Sequence, residues 1–362
     1  TMLDPASVRS IQVFHLNHIG DMVFSLPLLA SLRRAFPKAR IVSVLRPPVL
    51  GIWQLSGQAH EFLVREKKGS LATRMELVRA LRKRDPDLTI VLSQAWEPTI
   101  MAWLSRSPVR VGFKKTKMGW LLTHRVKKSG PPSTENNLRL LEALGVTPAR
   151  REYVGLLRAP LGETRRMSAR LTAAGVPSHV RLIVLAPGAS ARRAVKEWTD
   201  EGWAAVADHF SSQPDTAVAI TGTEPAGRII ELARGPILDM TGRTSEGEWA
   251  ALLDRADLFI GVDSGALHVA AALGTQVVGL YGPSDPNITG PQGLGHLVVR
   301  HPVDCSPCFR RTCSIGRVCM INIEADAVIE AAERALADAD AFEPPWPDEF
   351  PALPRESPDS GA

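Results

Sequence analysis

Short apolar, β-branched runs alternate along this chain with longer stretches whose apolar residues recur every three or four positions. "IQVFHL", "RIVSVL", "EFLV", "DLTIVLS" and "VRVGF" predict strands, and residues 22–36, 69–84 and 134–145 predict helices between or after them. The order then repeats. "RLIVLAPG", "DTAVAITG", "ADLFIGVD" and "TQVVGLYG" predict strands, with helices over 199–210, 225–234, 245–255 and 265–273. Strands this uniformly apolar are buried on both faces, so the order argues for two α/β halves, each a parallel sheet covered by helices. The join falls near residues 150–180, where a helix around 162–175 leads into "GVPSHV". The expected domains are 1–165 and 175–323, followed by a last helix over about 324–340.

Length and composition agree with this division. The 362 residues suggest two domains, at roughly 150 residues each. The tail 341–362 holds six prolines and is expected to form no regular packed element. No apolar stretch reaches the roughly 18 residues needed to span a bilayer, and the N-terminus lacks the basic-then-apolar order of a signal peptide. A cytoplasmic protein is expected. The net charge of +5 is unevenly spread: residues 1–150 carry 24 Lys/Arg against 10 Asp/Glu. A basic first half attracts an anionic partner, whether nucleic acid, a membrane surface, or a phosphorylated or carboxylated substrate. With aromatics at only 6%, the interleaved stacking residues of a nucleic-acid binder are missing, so no nucleic-acid partner is expected.

Four strand ends carry candidate chemistry. In "HLNHIGDMVFSLP", Gly20 permits a tight turn and Asp21 is either a helix cap or a carboxylate aimed at a ligand. In "ADLFIGVDSGALHVAAALG", a strand ends at Asp263. The small residues Ser264, Gly265 and Ala266 then open a helix whose free N–H groups suit a phosphate, with His268 one turn in. The plainer alternative is Asp263 as an N-cap and His268 as a packed side chain. "LIVLAPGASARRAVKEW" places Ser190 and Lys196 after another strand, and "ITGTEP" puts Glu224 at the same edge, as a ribose acceptor or a helix-start acid. No G-x-G-x-x-G fingerprint is present, which argues against a dinucleotide dehydrogenase.

Taken in order, "GDMVFSLPLLASLRRAFP", "VGF", "LRLLEALG", "APGAS…KEW", "DMTGRTS", "DLFIGVDSGALHVAAALGTQVVGLYGPSDPNITGP" and "CSPCFRRTCSIGRVCM" resemble the glycosyltransferase family 9 heptosyltransferases, which build the inner core of bacterial lipopolysaccharide. The resemblance covers roughly residues 10–338. It implies the GT-B fold: two Rossmann-like domains with parallel sheets facing across a cleft, and a C-terminal helix crossing back to the first domain. It also implies an ADP-L-glycero-D-manno-heptose donor in the second half and an anionic lipopolysaccharide-core acceptor in the first, with peripheral contact at the inner face of the inner membrane. The "PSDP" block and the cysteines point to the type that adds the second heptose. Asp21 falls on the catalytic acid/base position. Ser190, Lys196, Asp263, Ser264, Gly265 and His268 fall on donor-phosphate positions, Glu224 on the ribose acid, and Thr244 near a base contact. No cofactor is implied and the family generally needs no metal.

The implied reaction is an inverting sugar transfer. A hydroxyl is a poor nucleophile at neutral pH, so a carboxylate such as Asp21 must take its proton. Lys196, His268 and the helix start can stabilise the leaving diphosphate in place of a metal. Cys305, Cys308, Cys313 and Cys319 lie within 15 residues. They read as reduced structural thiols, a structural metal cluster, or a disulfide, and the spacing leaves these open. A GT-B sugar-nucleotide epimerase, or a transferase using another nucleotide sugar, would use a similar set of strand ends.

Overall fold

The computed structural model describes residues 4–66, 69–188, 191–293 and 295–339. Ser190 and the tail 341–362 lie outside the described residues. The chain divides into two compact units, with the boundary between Leu156 and Leu157.

The first unit runs β1 (Ser10–Phe14), α1 (Ile19–Val23), α2 (Leu26–Ala35), β2 (Arg40–Leu45), α3 (Leu50–Ser56), β3 (Glu61–Val64), α4 (Leu71–Lys83), β4 (Leu88–Val91), α5 (Trp96–Leu104), β5 (Val109–Phe113), β6 (His124–Val126) and α6 (Ser133–Glu142). Its sheet is parallel, ordered β3-β2-β1-β4-β5-β6. The single helix expected over 22–36 is two, because Pro27 in the first turn of α2 has no N–H to continue the ladder from α1. Ser25 closes the break by donating to the Met22 carbonyl at 2.7 Å.

The second unit runs α7 (Leu161–Ala173), β7 (Arg181–Ala186), α8 (Asp200–Ser211), β8 (Thr216–Ile220), α9 (Gly227–Leu232), β9 (Leu238–Asp239), α10 (Glu246–Arg255), β10 (Leu258–Val262), α11 (Gly265–Leu273), β11 (Val277–Leu280), α12 (Pro286–Thr289), β12 (Leu297–Val299), α13 (Val318–Ile321) and α14 (Ala325–Ala339). Its parallel sheet is ordered β12-β11-β10-β7-β8-β9. Helix α7 packs on α10 and so belongs wholly to this unit, although residues to 165 were expected in the first.

One expectation needs correction. Helix α14, expected to cross back to the first domain, packs in the core of its own unit over its described residues. Its buried stripe Val328, Ala331, Ala332, Ala335 and Leu336 recurs at helical spacing and enters the core around Ile183, Trp203, Phe210, Ile260 and Val278. It packs on α8, β10, β11 and β12 of its own unit. The reason is shape: a stripe mainly of alanine lets the helix approach the sheet closely, and this sheet presents valine and isoleucine to meet it.

Candidate active site

Both sheets follow one plan, with the first strand of each unit beside the fourth. The chain reverses direction between them, and the crevice outside the carboxyl ends of those two strands is where open α/β sheets take ligands. In the second unit this point lies between β7 and β10.

Asp263 follows β10 directly and is buried. Lys196 closes the 3₁₀ turn Ala191–Lys196 that follows β7. Its Nζ donates to the Asp263 carbonyl at 3.0 Å and forms an ion pair with the Asp263 carboxylate. His268, one turn into α11, brings Nε2 to 3.7 Å from Asp263 Oδ1. Burial alone would raise the Asp263 carboxyl, but the hydrogen bond from His268 and the Lys196 charge outweigh it and hold the group far below the usual carboxylate range. Asp263 is therefore ionised and sits between a cation and an imidazole.

The N-cap of α11 is Ser264, not Asp263, and its side chain makes no capping bond. Among the described residues, the buried Ser264 hydroxyl has no hydrogen-bond partner. With Gly265 and Ala266 following, the first N–H groups of α11 meet no bulky side chain of their own turn. A buried donor, free helix N–H groups and a lysine within reach form a cradle suited to a diphosphate.

Glu224 and Thr244 stand further along the same edge. Glu224 is exposed on the loop between β8 and α9, and Thr244 is half-buried on the loop between β9 and α10. The two loops are joined by the Gly242 N–H donating to the Gly222 carbonyl at 2.9 Å, with both glycines in left-handed space.

A feature unseen in the sequence holds Lys196 in place. Arg317 Nη1 donates to the carbonyls of Ala194 (3.0 Å) and Glu197 (3.2 Å), on either side of Lys196 in the chain. Trp198 Nε1 donates to the Ile323 carbonyl at 3.0 Å. Arg317 is itself left-handed, and its N–H donates to Cys313 Sγ at 3.2 Å. All four cysteines, with Val195, line one cavity of about 20 Å³. Their thiols are free. No group of three or more His, Cys, Asp or Glu among the described residues is arranged to hold a metal. N–H donors from Ile315 and Arg317 lower the exposed Cys313 thiol, and burial raises Cys319.

In the first unit, Asp21 lies in the first turn of α1, half-buried, after the N-cap His18. It is not the cap. Lys128 stacks its Nζ 4.4 Å over the Phe113 ring. Burial lowers the Lys128 ammonium and the Asp21 carboxylate pulls it back up. Arg65 binds Glu97 at 2.7 Å and Asn17 Oδ1 at 3.2 Å, tying the ends of β1 and β3 to α5. His15, at the end of β1, is buried between the hydroxyls of Ser25 (3.0 Å) and Ser43 (3.1 Å), and burial lowers it to about 3. The D-x-D pair that precedes β4, Asp85 and Asp87, sits at the opposite edge, where Asp87 accepts the N–H groups of Arg9 and Ser10.

No helix among the described residues is long and apolar enough to cross a membrane. The family model described as glycosyltransferase family 9 (heptosyltransferase) matches residues 74–319. Among curated relatives, lipopolysaccharide heptosyltransferase 3 of Escherichia coli K12 is 29% identical over 290 residues, 74% of this chain and 80% of the relative. Lipopolysaccharide heptosyltransferase 2 of Salmonella typhimurium is 26% identical over 301 residues, 78% and 85% of the two chains. Among solved structures, a family 9 glycosyltransferase of Veillonella parvula superposes with a TM-score of 0.81 at 24% identity, covering 93% of this chain and 99% of that one.

Proposed function

The chain belongs to glycosyltransferase family 9, the heptosyltransferases, and from that premise we propose that it moves a heptose from ADP-L-glycero-D-manno-heptose to the inner core of lipopolysaccharide, with inversion at the anomeric carbon. It is a glycosyltransferase of the GT-B fold. The observation that carries the finer reading is the set Lys196, Asp263, His268 and the unpartnered Ser264 hydroxyl at the start of α11.

In this reading the donor diphosphate rests on the α11 N–H groups and Ser264. Negative charge grows on the leaving ADP as the glycosidic bond breaks. The Lys196 ammonium answers it without a metal, and Asp263 keeps that ammonium and the His268 ring oriented. Glu224 accepts from the ribose hydroxyls and Thr244 lies by the base. The acceptor hydroxyl attacks from the opposite face while Asp21 takes its proton. Lys128 lies beside Asp21, and the same unit carries Arg46 near Arg65, with Arg65 and Arg74 sharing the single acid Glu97, a cationic excess that favours an acidic acceptor. The protein works at the cytoplasmic face of the inner membrane, where its lipid-linked acceptor is presented.

The test is incubation with ADP-heptose and truncated core acceptors, with product masses read out. A heptose added to an acceptor is the expected result, and free sugar released without acceptor would point to the epimerase reading. Asp21→Asn should lower turnover about 10²- to 10⁴-fold, since asparagine cannot take the proton. Its melting temperature and ADP affinity should stay near wild type. Turnover within a few-fold of wild type would remove Asp21 from the mechanism.

A further inference from the structure

The described tryptophans differ in their exposure, with Trp53 and Trp249 half-buried. Trp198 and Trp203 are buried in the second unit, whereas Trp96, Trp103 and Trp120 are 48%, 49% and 70% exposed in the first. Those three are neighbours. Trp96, Ile100 and Trp103 occupy positions i, i+4 and i+7 of α5, one face of the helix, while Pro98, Thr99, Met101 and Ala102 face the core. The 3₁₀ turn Gly119–Leu121, which carries Trp120, packs on α5. The loop before that turn is held beside the start of α5 by the Lys117 N–H donating to the Gln94 carbonyl at 3.2 Å. Met118 on this loop is also exposed.

The charge along this stretch is almost all of one sign: residues 96–134 contain eight Lys/Arg and one acid, Glu97, which is paired with Arg65 and Arg74. Arg110 is spent internally on the Leu121 and Ser107 carbonyls, fixing the turn, and Lys128 faces Asp21. Lys114, Lys115, Lys117, Arg125 and Lys127 remain exposed.

We infer that this face of α5 and the 114–121 loop docks on an anionic phospholipid bilayer. Tryptophan is suited to that boundary because its ring prefers the headgroup level while its N–H stays wet. Exposed lysines beside it are drawn to anionic headgroups, a term of several-fold in binding per cation. An apolar partner protein would not need the cationic surround, and a nucleic acid would not need a helix face of tryptophan and isoleucine. The inference rests on the lipid-linked acceptor proposed above, and it names the surface that would bring the enzyme to it.

The experiment is flotation of the full chain with vesicles of phosphatidylethanolamine and phosphatidylglycerol, against vesicles of phosphatidylcholine alone. The wild type should float with the anionic vesicles only, with its tryptophan emission shifted to the blue and quenched by brominated lipid. Lys114→Gln, Lys115→Gln and Lys117→Gln together should weaken binding roughly a hundredfold. Trp96→Ser, Trp103→Ser and Trp120→Ser together should abolish the emission change and most of the binding. Both variants should keep the wild-type melting temperature and ADP affinity, since the altered side chains are exposed and the donor residues lie in the other unit. A wild type that does not float, or a tryptophan variant that floats equally well, overturns the inference. So does a wild-type dimer that the tryptophan changes dissociate without vesicles, which would make this face a contact between copies. Transfer to a deacylated, water-soluble acceptor is measured in parallel on the wild type. Flotation without transfer would overturn the activity and leave the surface standing, and transfer without flotation would overturn the surface alone.

Discussion

Removing the Lys196 ammonium strands the Asp263 carboxylate. Both side chains are largely buried, so Lys196→Ala should cost about 3 kcal/mol of stability as well as the donor site, because a buried charge left without its cation is expensive. A thermal melt reads the first effect, and calorimetry of ADP binding, expected to fall at least tenfold, reads the second. Unchanged ADP affinity would place Lys196 outside donor binding. His15 makes a different prediction, through pH. The folded state holds this imidazole at about 3, whereas an unfolded histidine titrates near 6.5. Below about pH 6.5 the unfolded chain takes up a proton that the native site between Ser25 and Ser43 refuses, so stability falls with acidification and is complete only above that pH. Between about pH 6.5 and 5 the loss from this residue alone is about 2 kcal/mol. Denaturant titrations at the two pH values should show it, and His15→Gln should flatten the slope.

The turn that carries Lys196 depends on another segment of its unit. Arg317 holds the carbonyls on both sides of Lys196, so Arg317→Ala should weaken ADP binding several-fold although Arg317 itself touches no donor position. Arg317→Lys, which keeps the charge on a flexible stem but lacks the planar guanidinium that fixes Nη1 between the two carbonyls, should recover only part of the affinity. Equal ADP affinity in all three proteins would show that the turn stands without the clamp. Such long-range partners are what the sequence conceals. The strands at 40–45, 61–64 and 109–113 and helix α11 were readable because uninterrupted apolar runs and helical spacing have few other solutions. The edge strands β6, β9 and β12 are two or three residues long and leave no periodic trace. Helix α5 escaped for the opposite reason: apolar on both faces, with Pro98 inside it, it shows no stripe. The spacing of α14 revealed which face is buried but not which unit would bury it. In the site, Asp263, Ser264 and His268 share one strand–helix junction and could be seen together. Arg65 and Asn17 follow two separate strands and Glu97 opens helix α5, and only the sheet order brings them into contact.

Across the whole molecule, the surplus of Lys/Arg belongs to residues 1–150, the half proposed to take the acceptor. Exposed charges are screened beyond roughly 8 Å at physiological ionic strength, so added salt should raise the acceptor KM several-fold and move the ADP-heptose KM less. Equal sensitivity of the two constants would separate the basic half from acceptor recognition. The placement of α14 in the second unit's own core has a bearing on protein engineering. Had that helix belonged to the first unit, exchanging halves between two family members would need two crossovers, one on each side of the donor half. With α14 native to its own unit, a single junction at Leu156–Leu157 divides the described residues into two contiguous cassettes. A hybrid gene joined there should keep the donor preference of its downstream parent while inheriting the acceptor preference of its upstream one.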